Sequence, residues 1–164
     1  MDAPSAGAPG QAAGYRVHSW VLINYTVRAI AFGVCFLGIG LHAWERGFGA
    51  ALWVGLVLQF LVYPHVLFVR ARRAAQPVRA EVQHLYGDCF LLAWWVAVLE
   101  FPLWIAYSLL FSTTLNAIAN RGLRGLARSI VCSCLGLLFG IVFGDLRFWP
   151  DTSALVTTLF FFGS

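Results

Sequence analysis

Apolar runs of roughly twenty residues, separated by short polar turns, repeat along most of the chain. The first runs from Tyr25 to Trp44 and the second from Phe48 to Val69, with Pro64 about one turn before its end. A third covers Glu81 to Phe101, a fourth follows Pro102 to Asn120, and a fifth follows the turn Arg121 to Leu126 and ends at Gly144. Each is long enough to carry a helix across about 30 Å of hydrocarbon. The last stretch, Thr152 to Ser164, has the same character but only about a dozen residues, against the ~17 to 25 that a crossing needs. The pattern predicts an all-α membrane protein, a six-helix transmembrane bundle whose sixth helix is truncated at the chain end. Residues 1–14, rich in Ala, Gly and Pro, hide no apolar face and are expected to form a disordered tail ahead of a membrane domain spanning 15–164. They lack the basic and apolar regions of a signal peptide. Tyr15 to Asn24, with Arg16, His18 and Trp20, suits a short interfacial helix leading into the first span.

Composition agrees with the pattern. The 164 residues are 60% hydrophobic and 11% charged, with a mean hydropathy of +0.78, far from the quarter or so of charged residues in a soluble domain. A net charge of +4 would suit nucleic acid, but the arginines stand in short clusters at the ends of apolar runs, so lipid headgroups are the expected counterions and no nucleic acid is expected. With the amino terminus inside, Arg16, Arg28, Arg70, Arg72, Arg73, Arg79, Arg121, Arg124 and Arg128 are cytoplasmic, and only Arg46 and Arg147 lie outside. Short cytoplasmic loops favour arginine, so both termini are expected in the cytoplasm. Trp44, Trp104 and Trp149 then fall at the outer interface, and Arg28 is expected to snorkel to the headgroups.

Polar residues inside the spans are the candidates for function. His65, Glu81, His84 and Asp88 lie within about two turns of the cytoplasmic edge, and Pro64 should kink the second helix beside them. Glu81, His84 and Asp88 recur at i, i+3 and i+7 and share a helix face, as do Ser112, Asn116 and Asn120 on the fourth. Together they predict a polar layer for a signal or ligand, with His65 and Asp88 as its functional pair. The plainer alternative is interhelical hydrogen bonding, worth about 0.6 to 2 kcal/mol per bond. Haem is the alternative for the histidines. His65 and His84 lie at similar depth and His42 near the opposite end, and no pair stands at facing positions in a pattern specific to haem, so no cofactor is expected.

The fifth run carries a small-residue stripe, Gly125, Ser129 and Ser133 followed by Gly136, Gly140 and Gly144, which permits close helix packing within the bundle or between protomers. Cys35, Cys89, Cys132 and Cys134 read as small buried hydrophobes. There is no phosphate loop, nucleophile elbow, metal-ligand cluster or carboxylate pair, so this segment is expected to hold no catalytic site.

Specific residues suggest a family. Tyr63-Pro64-His65, Gln76-Pro77, Arg79-Ala80-Glu81, Leu85, Asp88 and Phe101-Pro102 resemble the second type of membrane-associated sensor (MASE) domain of bacterial nucleotide cyclases. In that family's pattern Tyr63 stands for a tryptophan, Gln76 for an aspartate and Gln83-His84 for an Arg-Asn pair, while a later Gly-Gly is met only by Arg121-Gly122. The resemblance implies a six-helix module of the bacterial inner membrane, joined at its carboxy end to a class III adenylate cyclase or, as the alternative, a GGDEF diguanylate cyclase. It also implies a homodimer, because both catalytic types work as pairs, and leaves open an unknown small-molecule or lipid ligand. A free-standing small transporter or channel is the rival from another class. A purely structural anchor is the third reading.

Overall fold

The computed structural model describes the backbone of residues 9–144 and 147–163, and the side chains of residue 19, residues 21–144 and 147–160. Five helices follow one another: α1, Pro9–Glu45; α2, Ala50–Arg73; α3, Pro77–Val98; α4, Leu103–Phe143; and α5, Ala154–Gly163. Three segments are long and apolar enough to cross a membrane: Val21–Glu45 within α1, all of α2, and α4. They expose Val27, Ile30 and Leu37 of α1, Val54, Leu58 and Val66 of α2, and Val131, Leu138 and Val142 of α4. In water that surface would be a liability; against lipid tails it costs nothing.

Local chemistry sets where the helices begin and end. Pro77 opens α3 at a position where its missing amide leaves no bond unmade. At the end of α1 Gly47 takes the left-handed conformation (φ 67°). Phe48 N then donates to Ala43 O and Gly47 N to Trp44 O, the paired bonds of a Schellman cap. The end of α3 repeats this cap, with Phe101 N donating to Val96 O and Glu100 N to Ala97 O, but a glutamate sits where glycine is favoured (Glu100 φ 68°, Phe101 φ 62°). Left-handed geometry costs a residue with a Cβ about 1–2 kcal/mol, so Glu100 is held there by its neighbours.

Inside α2 the helix widens to a π-turn over Val57–Val62, and Tyr63 N reaches back five residues to Leu58 O. The widening lies directly ahead of Pro64, whose ring would otherwise strike the preceding turn. Pro64 is itself fully buried.

α4 is two arms rather than one rod. Gly122 leaves helical geometry (φ 59°, ψ −148°), and the backbone at Gly125 closes on the Ala117 carbonyl, eight residues back, which a straight helix would hold about 12 Å away. Thr113 of the first arm lies beside Cys89, and Ser133 Oγ of the second arm donates to Cys89 O at 3.5 Å. Both arms therefore flank α3, which runs through the middle of the molecule and buries nine of its 22 residues. Around it close Phe32 and Ile39 of α1, Leu56 and Phe60 of α2, Ile105 and Leu109 of α4, and Val156 and Phe160 of α5.

The architecture refines several sequence expectations. The interfacial helix expected at Tyr15 to Asn24 is continuous with the first span in α1, and the expected tail covers residues 1–8, outside the described residues, plus the first turns of that helix. The turn expected at Arg121 to Leu126 shrinks to Gly122, because a single left-handed glycine suffices to reverse the chain. Gly136 and Gly140 pack inside the chain: a Cβ at Gly136 would collide with the Phe90 carbonyl, and one at Gly140 with Ala97 and Trp94. Gly144 is exposed and meets only its own helix.

Candidate functional site

One cation and two carboxylates meet where α1 crosses α3. Arg28 Nη1 donates to Glu81 Oε2 at 3.1 Å, and Arg28 Nε to Asp88 Oδ2 at 3.0 Å. The two acids stand seven residues apart, two turns on one face of α3, so a single guanidinium spans both. All three side chains are withdrawn from the surface, at 10%, 4% and 7% exposure. The expectation that Arg28 snorkels outward is corrected: a carboxylate inside a bundle is costly unless a cation faces it, and Arg28 is the cation that α1 presents there. The arginine does not saturate the acids. Glu81 Oε1 is buried and has no hydrogen-bond partner among the described residues. The Tyr63 hydroxyl lies over Gly87 and turns its O–H toward the Asp88 carboxylate, a second donor beside Arg28.

Beside this network lies a cavity of about 250 Å³, bounded by α1, α3 and the first arm of α4. Arg28 and Glu81 form part of its wall, with Asn24, Asn116, Asn120 and Arg121 around them. Asn120 Nδ2 donates to Asn116 O at 2.9 Å and to Asn116 Oδ1 at 2.8 Å, which ties the two amides together along one face. The Glu81 and Asn116–Asn120 faces proposed from spacing thus meet across a real space. Ser112, on the same face, is exposed and outside the cavity wall.

The histidines divide. The expected His65–Asp88 pair does not form: His65 is exposed and Nδ1 lies 2.8 Å from the Tyr25 hydroxyl, whereas Asp88 has taken Arg28. His84 is buried on the Glu81 face, and its Nδ1 has no partner among the described residues. His42 is buried at the far end of α1. Of the arginines, Arg70, Arg72, Arg73, Arg79, Arg121, Arg124 and Arg128 are all exposed at the end of the bundle that holds the cavity. Arg72 lies over Phe68 and Arg128 over Tyr86.

The opposite end is knitted from three turns. Arg46 Nη2 bonds Glu100 Oε2 at 2.5 Å, and its guanidinium lies 4.5 Å over the Trp149 ring. Trp149 N donates to Glu100 O, Leu103 N to Pro150 O, and Ser153 Oγ to Glu45 Oε1. These bonds hold Glu100 and Phe101 in their left-handed conformation. Spacing offered no sign of this cluster, since its members are 54 and 49 residues apart in sequence.

A helical chain whose long helices turn apolar faces outward, with an ionic network enclosed among them, belongs to the class of membrane proteins. A family model for the MASE2 domain matches residues 24–111, just over half of the chain, and the chain belongs to that family. The MASE2 domain is a membrane-associated sensor domain found in cyclase-type signalling proteins. No curated protein and no solved structure matches the chain. The match takes in Arg28, Glu81 and Asp88 and stops short of Asn116, Asn120 and the second arm of α4.

Proposed function

We propose that this domain anchors a nucleotide cyclase in the bacterial cytoplasmic membrane, pairs two copies of it, and relays changes in the membrane bundle to the catalytic domains. An adenylate cyclase making cyclic AMP is the first choice of output, with a diguanylate cyclase as the alternative. In this reading the bundle has six crossings, contributed by α1, α2, α3, the two arms of α4, and α5, with both termini in the cytoplasm. The arginine-rich end, with Arg70, Arg72, Arg73, Arg79, Arg121, Arg124 and Arg128, faces the cytoplasmic headgroups. The observation that carries the reading is the Arg28–Glu81–Asp88 network, an expensive arrangement to keep in a membrane domain whose only task is to hold a place.

A relay needs two arrangements of the bundle that a stimulus distinguishes. The network supplies a place for them, because Arg28 shares its donors between two acids, one of which, Glu81, keeps an oxygen without a partner among the described residues. The test is a chimera. With the domain fused to a cyclase catalytic domain, nucleotide output in membranes should respond to Asp88→Asn at wild-type expression. Replacing the whole domain by an unrelated dimeric span should leave basal output and remove regulation. Regulated output that survives the replacement would overturn the sensor reading and leave an anchor.

A further inference from the structure

The cavity beside the network has a charge layout that the sensor reading does not use. Its deep wall carries Glu81, 4% exposed, with Oε2 on Arg28 and Oε1 buried without a donor. The buried set of Arg28, Glu81 and Asp88 holds one formal positive charge against two negative ones. The rim is of the opposite kind: Arg121 is exposed and makes no ion pair among the described residues. Between the two stand Asn24, Asn116 and Asn120. The Asn120 amide N–H groups are spent on Asn116, which leaves Asn120 Oδ1 as an acceptor and Asn116 Nδ2 as a donor on two side chains that line the cavity.

A ligand that completes this arrangement brings N–H donors to the depth and an anionic group to the rim. A bare metal ion would satisfy the acids but leave Arg121 and the Asn116 amide without purpose, and three acidic or imidazole ligands are not gathered here. A simple anion would meet Arg121 and then face the Glu81 carboxylate. At about 250 Å³ the space fits a compact molecule or headgroup of a few non-hydrogen atoms rather than an acyl chain.

We propose that this cavity binds a small zwitterion carrying a primary ammonium and a phosphate or carboxylate, with the ammonium on Glu81 and the anion on Arg121. A phosphoethanolamine group has this chemistry, either as a lipid headgroup or as a free solute. A quaternary ammonium does not, because it has no N–H to give the Glu81 carboxylate. The site lies partly inside and partly outside the stretch matched to the family, so its acidic wall comes from one part of the chain and its amide wall from another. Only the signalling consequence of binding rests on the sensor reading.

The test uses the full chain in phosphatidylcholine nanodiscs, titrated by calorimetry with free phosphoethanolamine and, in parallel, exchanged into nanodiscs containing phosphatidylethanolamine and scored by native mass spectrometry for retained lipid. Binding in the first arm identifies a soluble ligand, and selective retention in the second identifies a lipid; either supports the proposal. Phosphocholine should bind at least about tenfold more weakly, the scale of one lost charge-assisted hydrogen bond. Arg121→Gln, at an exposed position that folding does not depend on, should weaken binding by a similar factor, and Glu81→Gln should remove the preference for ethanolamine over choline. Failure of both ligands to bind a folded wild-type protein overturns the site, whatever the cyclase chimera does. So does binding in which choline and ethanolamine are equal, or in which Arg121→Gln is silent.

Discussion

Each end of the bundle holds an arginine against acidic side chains, yet the two do opposite things. At the Trp149 end, Arg46 meets Glu100 with 30% of its side chain still exposed, stacks on Trp149, and belongs to a mesh of backbone bonds between three turns. Every polar group named there has a partner, and the mesh holds Glu100 and Phe101 in a conformation they would not choose. At the cavity end, Arg28 is enclosed, serves two acids and leaves Glu81 Oε1 without a partner among the described residues. A surface pair inside a mesh contributes little by itself, whereas a buried pair is costly to break and sensitive to charge. The difference teaches that one end is a clasp and the other a buried ionic network whose balance depends on charge.

Breaking the inner network should have the largest effect. Arg28→Met leaves two buried carboxylates without a cation and should cost about 3–5 kcal/mol, read as loss of folded protein in a detergent melting curve. Adding Glu81→Gln and Asp88→Asn to that variant should restore most of the lost stability. If the triple variant is no better than the single one, Arg28 holds the bundle by packing rather than by charge.

Next comes the seam that positions α3. Gly136→Leu pushes a side chain into the Phe90 carbonyl and should cost at least about 1–3 kcal/mol, while the same change at Gly33, where an added Cβ meets nothing within 4 Å, should be nearly silent. Equal effects at the two positions would remove the close α3–α4 approach from the account.

The clasp at the Trp149 end should respond more mildly. Arg46→Gln should lower stability by no more than about 1 kcal/mol. Glu100→Gly gives up the same ion pair but relieves the left-handed backbone, a gain of about the same size, so its melting temperature should stay near that of the wild type. A large loss from Glu100→Gly would mean that the side chain, not the backbone bonds to Trp149 and Leu103, holds the turn. Arg124→Gln, exposed at the end of the bundle that holds the cavity, should fall within about 0.5 kcal/mol of the wild type.

Much of this was legible in the chain. Apolar run lengths located the helices, because a bilayer imposes a length on every crossing, and the i, i+7 spacing put Glu81 and Asp88 on one face. The Arg28 partnership was not, because an arginine near a helix start has the same local sequence whether it turns outward to headgroups or inward to acids; only the rotation of α1 against α3 decides. His65 misled for the related reason that depth along a helix says nothing about which way a side chain points, and Tyr25 was the nearer partner. Pro64 announced a disturbance in α2, but that it is absorbed by a π-turn over Val57–Val62 depends on hydrogen-bond phase, which composition does not encode. The Arg46–Glu100–Trp149 clasp joins three separate turns and so left no periodic trace.

The most direct test sets the two ends against each other in one cyclase chimera. Asp88→Asn and Glu100→Gln each remove one negative charge from an arginine partner, at opposite ends, with shape retained. Nucleotide output per folded molecule should change severalfold for Asp88→Asn and stay at the wild-type level for Glu100→Gln. Equal outputs from both variants, at equal expression, would contradict the claim that the buried network at the cavity end carries the response.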